Sequence, residues 1–433
     1  MRMTTQRRAV VTLIAGLTSV GVLVGCSSGS GGDEAGQTDG GVQTLTMWAR
    51  SDDEGFLPDL VDEFNASHDD LQLELTLIPS AQVVQKYSTA ASTGSGPDIA
   101  AIEIGTIPQF TSTGWLQDIT DDVQALPYLD SLSPAHLDQG AVGDRNFAVP
   151  LTADVSVLYW NKGLFEQAGL DPETPPATWA DIETAAKAID ALGDGDDGYF
   201  FSGACAGCMA FTMLPYVWAG GGEVLDSDGD SVTPTLSPNP QLESTLTFLR
   251  GMVDDGLVPD TAQTENGSDQ FGPFFSGKVG MFVQGTYPFA QLKENYPDVD
   301  FGITPVPSED GSGTASFAGG DDLAITKEAD KEAGMTVLKW FMDEGQQSLA
   351  AKGILPIRSD LAEGTYLDQD PRNAVFVEAL KVGHTPKAAK VSSVFFDNNG
   401  PFGALVQTAL FGDGSISDAM KDAQTAAESA LAQ

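Results

Sequence analysis

The spacing of apolar residues along the chain switches repeatedly between two periods. In LQLELTLI, Leu71, Leu73, Leu75 and Leu77 alternate with polar residues, which predicts a strand with one face toward a core. Just before it, in GFLPDLVDEFNASH, Phe56, Leu60, Val61 and Phe64 fall on one face of a helix. QTLTMWA reads as the strand that opens the folded region near Val42. AQVVQKYSTAASTG reads as a helix closing at Gly94, and GPDIAAIEI as a short strand after a Gly-Pro turn. Strands alternating with helices predict an α/β fold with a mainly parallel sheet.

The same style continues downstream. VSVLYW is a strand, and NKGLFEQAGL a turn and short helix that Gly169 stops, with Leu164, Phe165 and Ala168 facing the core. Pro175-Pro176 stiffen the next turn, and Thr178 caps the helix that Trp179 begins, with Ile182, Ala186 and Ile189 at helical spacing and Gly193 as its stop. KVGMFVQG is an apolar strand. KEAGMTVLKWFMDEGQQSLAAKG holds a long helix and a further helical turn closing at Gly353, and SISDAMKDAQTAAESALAQ ends the chain as an amphipathic helix. There is no short-period repeat.

A length of 433 residues fits two or three domains at ~150 residues each. Charge changes the picture more. The chain has 21 basic and 62 acidic residues, net −41, a surface that repels nucleic acid and anionic membrane. Residues 1–25 read as a signal sequence, with Arg2, Arg7 and Arg8 ahead of an apolar run from Ala9 to Gly25. LVGC (23–26) resembles a bacterial lipobox, which implies cleavage before Cys26 and lipidation of that residue. Loss of the three arginines takes the charge from −41 to −44. Residues 26–41, rich in Ser, Gly and Asp, read as a flexible tether. Arg7-Arg8 leave twin-arginine export open as a route. The expected location is the outer face of the cell membrane, held by lipid alone.

Cys205 and Cys208 form C-x-x-C. Outside the cytoplasm this leftover pair reads as a local disulfide, with a redox pair as the alternative. A metal site would need more ligands than three histidines allow. The Asp-rich stretches at Asp194, Asp196 and Asp197 and at Asp226, Asp228 and Asp230 lack the full calcium-loop pattern and read as turns. No cofactor or metal is expected.

An ordered set of motifs then carries a family resemblance. GPDI (96–99), FAVPLTADVSVLYWNKGLFEQAGL (147–170), TWAD, FFSGKVGMFVQGTYP (274–288), FAGGDDLAI (317–325) and GQQSLAAKGILPIRSD follow one another through nearly all of residues 42–433. The chain resembles the family 1 extracellular solute-binding proteins of ABC importers, the sugar-binding, maltose-binding-protein-like group. The resemblance implies two α/β lobes with ligand between them and three hinge crossings. By position these fall near Val149–Leu151, near Val279 and near Gly319–Asp321. Residues 42–150 and 280–320 would form lobe 1, and residues 151–279 and 321–433 lobe 2.

A sugar offers flat C–H faces to aromatic rings and hydroxyls to carboxylates, amides and Arg. Loops after strands supply such groups in α/β lobes. The strand ends yield Arg50, Ser51, Asp52 and Asp53, then Glu103 with Thr106, Asp154, Trp218, Tyr287, Gly320, Asp321 and Asp322, Arg358, and Phe396, Asp397 and Asn398. The resemblance supports Asp52, Asp53, Asp154, Tyr287 and the pair Phe395-Phe396. Bland roles compete with these: a core Trp218, an Asp53 helix cap, an Arg358 ion pair, a core Phe396. No ligand contact is expected from Asn161 or Lys162.

The expected function is the substrate-binding subunit of an importer, a monomer that captures a di- or oligosaccharide and passes it to permease subunits. A binding protein for a polyol, glycerol phosphate or peptide is the alternative. A secreted glycoside hydrolase is a third, and the absence of H-E-x-x-H and a chain with only three histidines speak against common hydrolases.

Overall fold

The computed structural model describes residues 41–432 apart from 194, 229 and 230. The expected signal segment, the expected lipidation site Cys26, residues 26–40 of the expected tether, Asp194 and Asp230 lie outside the described residues. Among the described residues no helix is long and apolar enough to cross a membrane.

Two sheets carry the chain. The first has the order Leu71–Ile78, Gln43–Arg50, Ile99–Glu103, Asp321–Ile325, Ala148–Pro150. Gln43–Arg50 runs parallel to both of its neighbours, with Leu45 opposite Leu73. Asp321–Ile325 runs against both of its own. The second sheet has the order Phe301–Thr304, Val157–Asn161, Val279–Gln284, Asp197–Phe200, and only the last pair is parallel. Both sheets are therefore mixed rather than mainly parallel. Helical crossovers within a lobe keep strands parallel, whereas a strand arriving from the other lobe enters its sheet from the opposite end.

Local chemistry explains the elements. Leu57–Ser67 buries Leu57, Leu60, Val61 and Phe64, one helical face. Ser80–Thr93 stops at Gly94, whose φ of 64° is the left-handed cap that favours glycine. Asn161 accepts the amide of Leu164 and caps Lys162–Gln167, while Lys162 pairs with Glu173 at 2.6 Å. Thr178 and Asp181 close a capping box on Trp179–Asp190. The long downstream helix breaks at Asp343 into Lys331–Met342 and Glu344–Ala351.

Two crossings between the sheets lie side by side. One follows Pro150 and the other joins Gly319 to Asp321. They pair as antiparallel partners on both sides of the passage, Asp322 with Pro150 and Asp154 with Gly319. Leu151 N–H donates to the Asp321 carbonyl at 2.8 Å, and Asp321 N–H to the Thr152 hydroxyl at 3.1 Å. Gly320 has φ of 124°, and a Cβ there would stand 2.3 Å from the Thr152 carbonyl oxygen. Buried His136 bridges the Ser133 hydroxyl and the Gly319 carbonyl, and burial pushes its pKa down to about 4, so it is neutral.

The expected crossing near Val279 is not there. Val279–Gln284 is buried along its whole length and needs a neighbour on each side, so it sits inside the second sheet. Asp321–Ile325, expected in lobe 2, belongs to the first sheet. The helices Lys331–Met342 and Glu344–Ala351 pack with Leu57–Ser67 near that sheet, whereas Pro401–Phe411 and Ile416–Ala432 pack on Pro240–Asp254. The remaining crossing therefore falls between Ala351 and Pro401.

Asp322 is fully buried in the crossing strand, and neither carboxyl oxygen has a protein hydrogen-bond partner. Burial, then the charge of Asp321, pushes its pKa well up, so the folded chain holds it protonated. An unfolded Asp titrates near ~3.9. Folding thus takes up a proton, and this group costs stability progressively as pH rises above about 4. Asp322→Asn keeps a neutral group in place. We expect it to raise the unfolding free energy at pH 7, with the gain fading toward pH 4. Urea unfolding at both pH values checks this, and a loss of stability at pH 7 would contradict it.

Candidate functional site

Arg50 ends the first strand, beside the strand that ends at Glu103, which in turn lies opposite Asp321. Register alone therefore gathers charges from three strands. The guanidinium Nε and Nη2 reach one Asp321 oxygen at 2.9 and 2.8 Å, while Nη1 lies 3.4 Å from Asp52 and 3.6 Å from Glu103. Burial pulls the Arg50 pKa down, but Asp321, Glu103, Asp53 and Asp52 hold it above its ordinary value.

Asp53 sits in the turn Ser51–Gly55 with 3% of its surface open. It caps no helix through its side chain. Burial, then the Asp321 charge, push its pKa up to about 9 against the opposing pull of Arg50, so Asp53 holds a proton at neutral pH. Asp52 and Glu103 remain open at 57% and 43% of their side chains, so the polar rim is formed by these two around a buried base.

Asp154, on the short strand Asp154–Val155 that pairs with Thr314–Gly319, lies within electrostatic reach of Arg50. Burial raises its pKa, and the Thr286 hydrogen bonds and the Arg50 charge oppose that rise. One Asp154 oxygen accepts both the N–H and the hydroxyl of Thr286, at 2.7 and 2.9 Å. The Tyr159 hydroxyl donates to the Gly285 carbonyl from below. Asp154 is thus a latch on the turn that presents Tyr287, whose side chain is 57% exposed and tilts against Phe271 at 5.3 Å. The sequence reading singled out neither Thr286 nor Phe271. The TYP triplet at a helix start was the only local sign of the first.

The structure brings Asp52, Asp53, Glu103 and Asp321 together around Arg50, with Asp154 in electrostatic reach of that cation and Tyr287 on the turn that Asp154 holds. Other candidates go elsewhere. Trp218 is 6% exposed, with its ring stacked on His384 at 5.3 Å and tilted against Phe317, so it is a core residue. Arg358 pairs with Asp343 and Asp360, both at 2.6 Å, and lies over Tyr128. Gly320 serves the backbone of the crossing rather than a ligand. Asn398 accepts the Ala206 amide at 2.8 Å, where Cys205 and Cys208 are joined as a disulfide, and half-buried Phe396 lies against Gly207. No group of three or more His, Cys, Asp or Glu among the described residues could hold a metal ion.

Because the folded state keeps a proton on Asp53, stability falls as pH rises above the ordinary carboxylate range. Asp53→Asn puts a neutral amide in its place. Its melting temperature is expected to decline less than that of the parent between pH 5 and pH 9, and parallel curves would refute the protonated Asp53.

Comparison with known proteins identifies the family and fold. The family model described as bacterial extracellular solute-binding protein matches residues 49–348. The diacetylchitobiose binding protein DasA of Streptomyces coelicolor is 25% identical, over 81% of this chain and 82% of its own. The sn-glycerol-3-phosphate-binding periplasmic protein UgpB of Escherichia coli strain UTI89 is 24% identical over 80% and 85%. The crystal structure of the cyclic alpha-maltosyl-1,6-maltose binding protein from Arthrobacter globiformis superposes with a TM-score of 0.77 at 25% identity, covering 90% of this chain and 99% of that one. The matched span and the shared two-lobe α/β fold make the chain a member of the bacterial extracellular solute-binding protein family.

Proposed function

We propose that the chain is the extracytoplasmic substrate-binding subunit of an ABC importer and that it captures a carbohydrate between its lobes. What supports this is the carboxylate cluster around Arg50 together with the exposed ring of Tyr287 on the turn that Asp154 holds. Carboxylates accept from neighbouring hydroxyls, and the ring takes the C–H face of a sugar. Lobe closure on ligand would then shift an open–closed equilibrium that the permease reads. The chain performs no reaction in this reading. Cys26 would carry the lipid that holds it to the membrane, and it works as a monomer.

The glycerol phosphate alternative, which one relative's name supports, meets an electrostatic objection. An anionic ligand wants cations that are not already engaged, yet Arg50 is held by Asp321 and Arg358 by two aspartates. Four further carboxylates surround the first of these.

Titration with maltose, mannobiose, diacetylchitobiose and glycerol 3-phosphate, followed by tryptophan fluorescence and melting temperature, tests the reading. A sugar present at 100 times its Kd should stabilise the chain by about 2.7 kcal/mol. If glycerol 3-phosphate alone moves both signals, or nothing does, the carbohydrate assignment fails. Release of reducing sugar would mark an enzyme instead. Tyr287→Ala should weaken sugar binding by about 0.5–1.5 kcal/mol, roughly two- to tenfold, with little change in melting temperature because the side chain is largely open. An unchanged Kd, measured by calorimetry, would remove Tyr287 from the site.

A further inference from the structure

The disulfide joins Cys205 and Cys208, residues only three apart in the sequence. The chain-entropy stabilisation from a disulfide is least for the shortest loops, so a staple here does little for the fold as a whole. Its position does more. Cys205 follows the connection from Asp197–Phe200 and caps the helix Ala206–Ala219, where its sulfur accepts the Cys208 amide at 3.1 Å. Both cysteines are half-buried. The free amides and the dipole at a helix N-terminus stabilise a thiolate, so a sulfur held there is a good leaving group.

The segment 264–271 rests against the sulfurs. Gly267 has φ of 95°, and a Cβ there would stand 3.2 Å from Cys208 Sγ and 3.3 Å from Cys205 Sγ, so only glycine lets the backbone pack on both. Glu265 shapes the turn. Its carboxylate accepts the Gly267 and Asp269 amides at 2.9 Å, and its carbonyl accepts the Ala204 amide at 2.8 Å, one residue before Cys205. The other end of the segment reaches the candidate site. Gln284 Nε2 donates to Gln270 Oε1 at 3.3 Å, and Phe271 tilts against Tyr287 at 5.3 Å. Gly267 on the sulfurs and Phe271 on Tyr287 are four residues apart in one stretch without helix or strand.

We propose that this disulfide is a redox-sensitive clip on the ligand site: reduction by an extracytoplasmic dithiol releases the segment 264–271 and weakens binding at Tyr287. It rests on the reading of Tyr287 as a ligand contact. A thiolate of the dithiol attacks Cys208 Sγ. The S–S bond breaks, and its electron pair leaves on Cys205, whose thiolate keeps the Cys208 amide as a donor. The second thiol of the dithiol, deprotonated, attacks the mixed disulfide, frees Cys208 and departs as the dithiol's own disulfide. The two protons given up by the dithiol pass to the two cysteines, which gain the two electrons that the dithiol loses. Bonded sulfurs sit closer than van der Waals contact, and once the bond is gone they must part. Gly267 covers both, so the segment it belongs to takes up the separation.

The test uses the whole folded chain, oxidised or treated with dithiothreitol, with alkylation and mass mapping of the peptide that holds Cys205 and Cys208 to report its thiols. Reduction should proceed without unfolding, and hydrogen exchange across 264–271 should quicken roughly tenfold. The Kd of whichever sugar binds, among maltose, mannobiose and diacetylchitobiose, should rise roughly two- to tenfold by calorimetry, the worth of a lost aromatic contact. A variant carrying Cys205→Ser and Cys208→Ser should show the weaker Kd and ignore dithiothreitol. A disulfide that resists dithiothreitol until the chain melts, or exchange in 264–271 that reduction leaves unchanged, overturns the clip whether or not a sugar binds. Faster exchange with an unchanged Kd overturns its coupling to the site. If no sugar binds the oxidised chain, the carbohydrate reading falls by itself, and exchange across 264–271 still decides the clip.

Discussion

The guanidinium of Arg50 holds the first sheet to the crossing strands. Its partner Asp321 is 1% exposed and begins the strand that returns from the other lobe. Breaking a buried pair by removing one member typically costs about 3–5 kcal/mol, because the other charge is left without compensation. Here the loss would be shared, since Asp52, Asp53 and Glu103 also lean on the same cation. A lysine would not replace it. The planar fork reaches Asp321 through two nitrogens and still presents a third toward Asp52 and Glu103, whereas an ammonium is a single point of charge.

That tie shapes how the lobes can move. The passages after Pro150 and between Gly319 and Asp321 are hydrogen-bonded to each other, so neither bends alone. Buried Gln346 adds a further link, donating to the Leu151 carbonyl and accepting the Ile357 amide. A bundle of crossings bends as one hinge and restricts the relative motion of the lobes to opening and closing. Asp321 sits on one side of this bundle and Asp154 on the other, so the Arg50 cluster and the turn that Asp154 holds are both anchored at the crossings.

The local half of this design was legible in the sequence. Helix faces, the Gly94 stop, the Asn161 and Thr178 caps and the alternation in Leu71–Ile78 depend on neighbours within a few residues, and the residues themselves encode them. Strand partnership is a different matter. Nothing within KVGMFVQG says whether its neighbours are Tyr159 and Phe200 or the strands of the other lobe, and a fully apolar strand fits the centre of either sheet. The same limit applies to the site. Asp52, Asp53, Glu103 and Asp321 were found because each ends or flanks a strand, a rule about where α/β folds place chemistry. Trp218 satisfied the rule by position and failed it by packing, since only the fold reveals that Phe317 and His384 cover its ring. Arg358 failed for the opposite reason: Asp360 lay two residues away, but Asp343 is brought to it by the helix break.

The acidity of the chain and the chemistry of its cleft are separate matters. A neutral ligand gains no steering from a net charge of −41, which acts on solubility and on charged partners. Around Arg50 the negative charge is partly consumed internally, by the guanidinium and by the proton that Asp53 holds. What stays open there is narrower: parts of Asp52 and Glu103, both aimed by Arg50. In the proposed carbohydrate reading, specificity follows from desolvation: a ligand that donates hydroxyls to these acceptors replaces the water it displaces, and a site built on hydrogen bonds rejects a ligand lacking them far more strongly than an apolar pocket rejects a missing methylene.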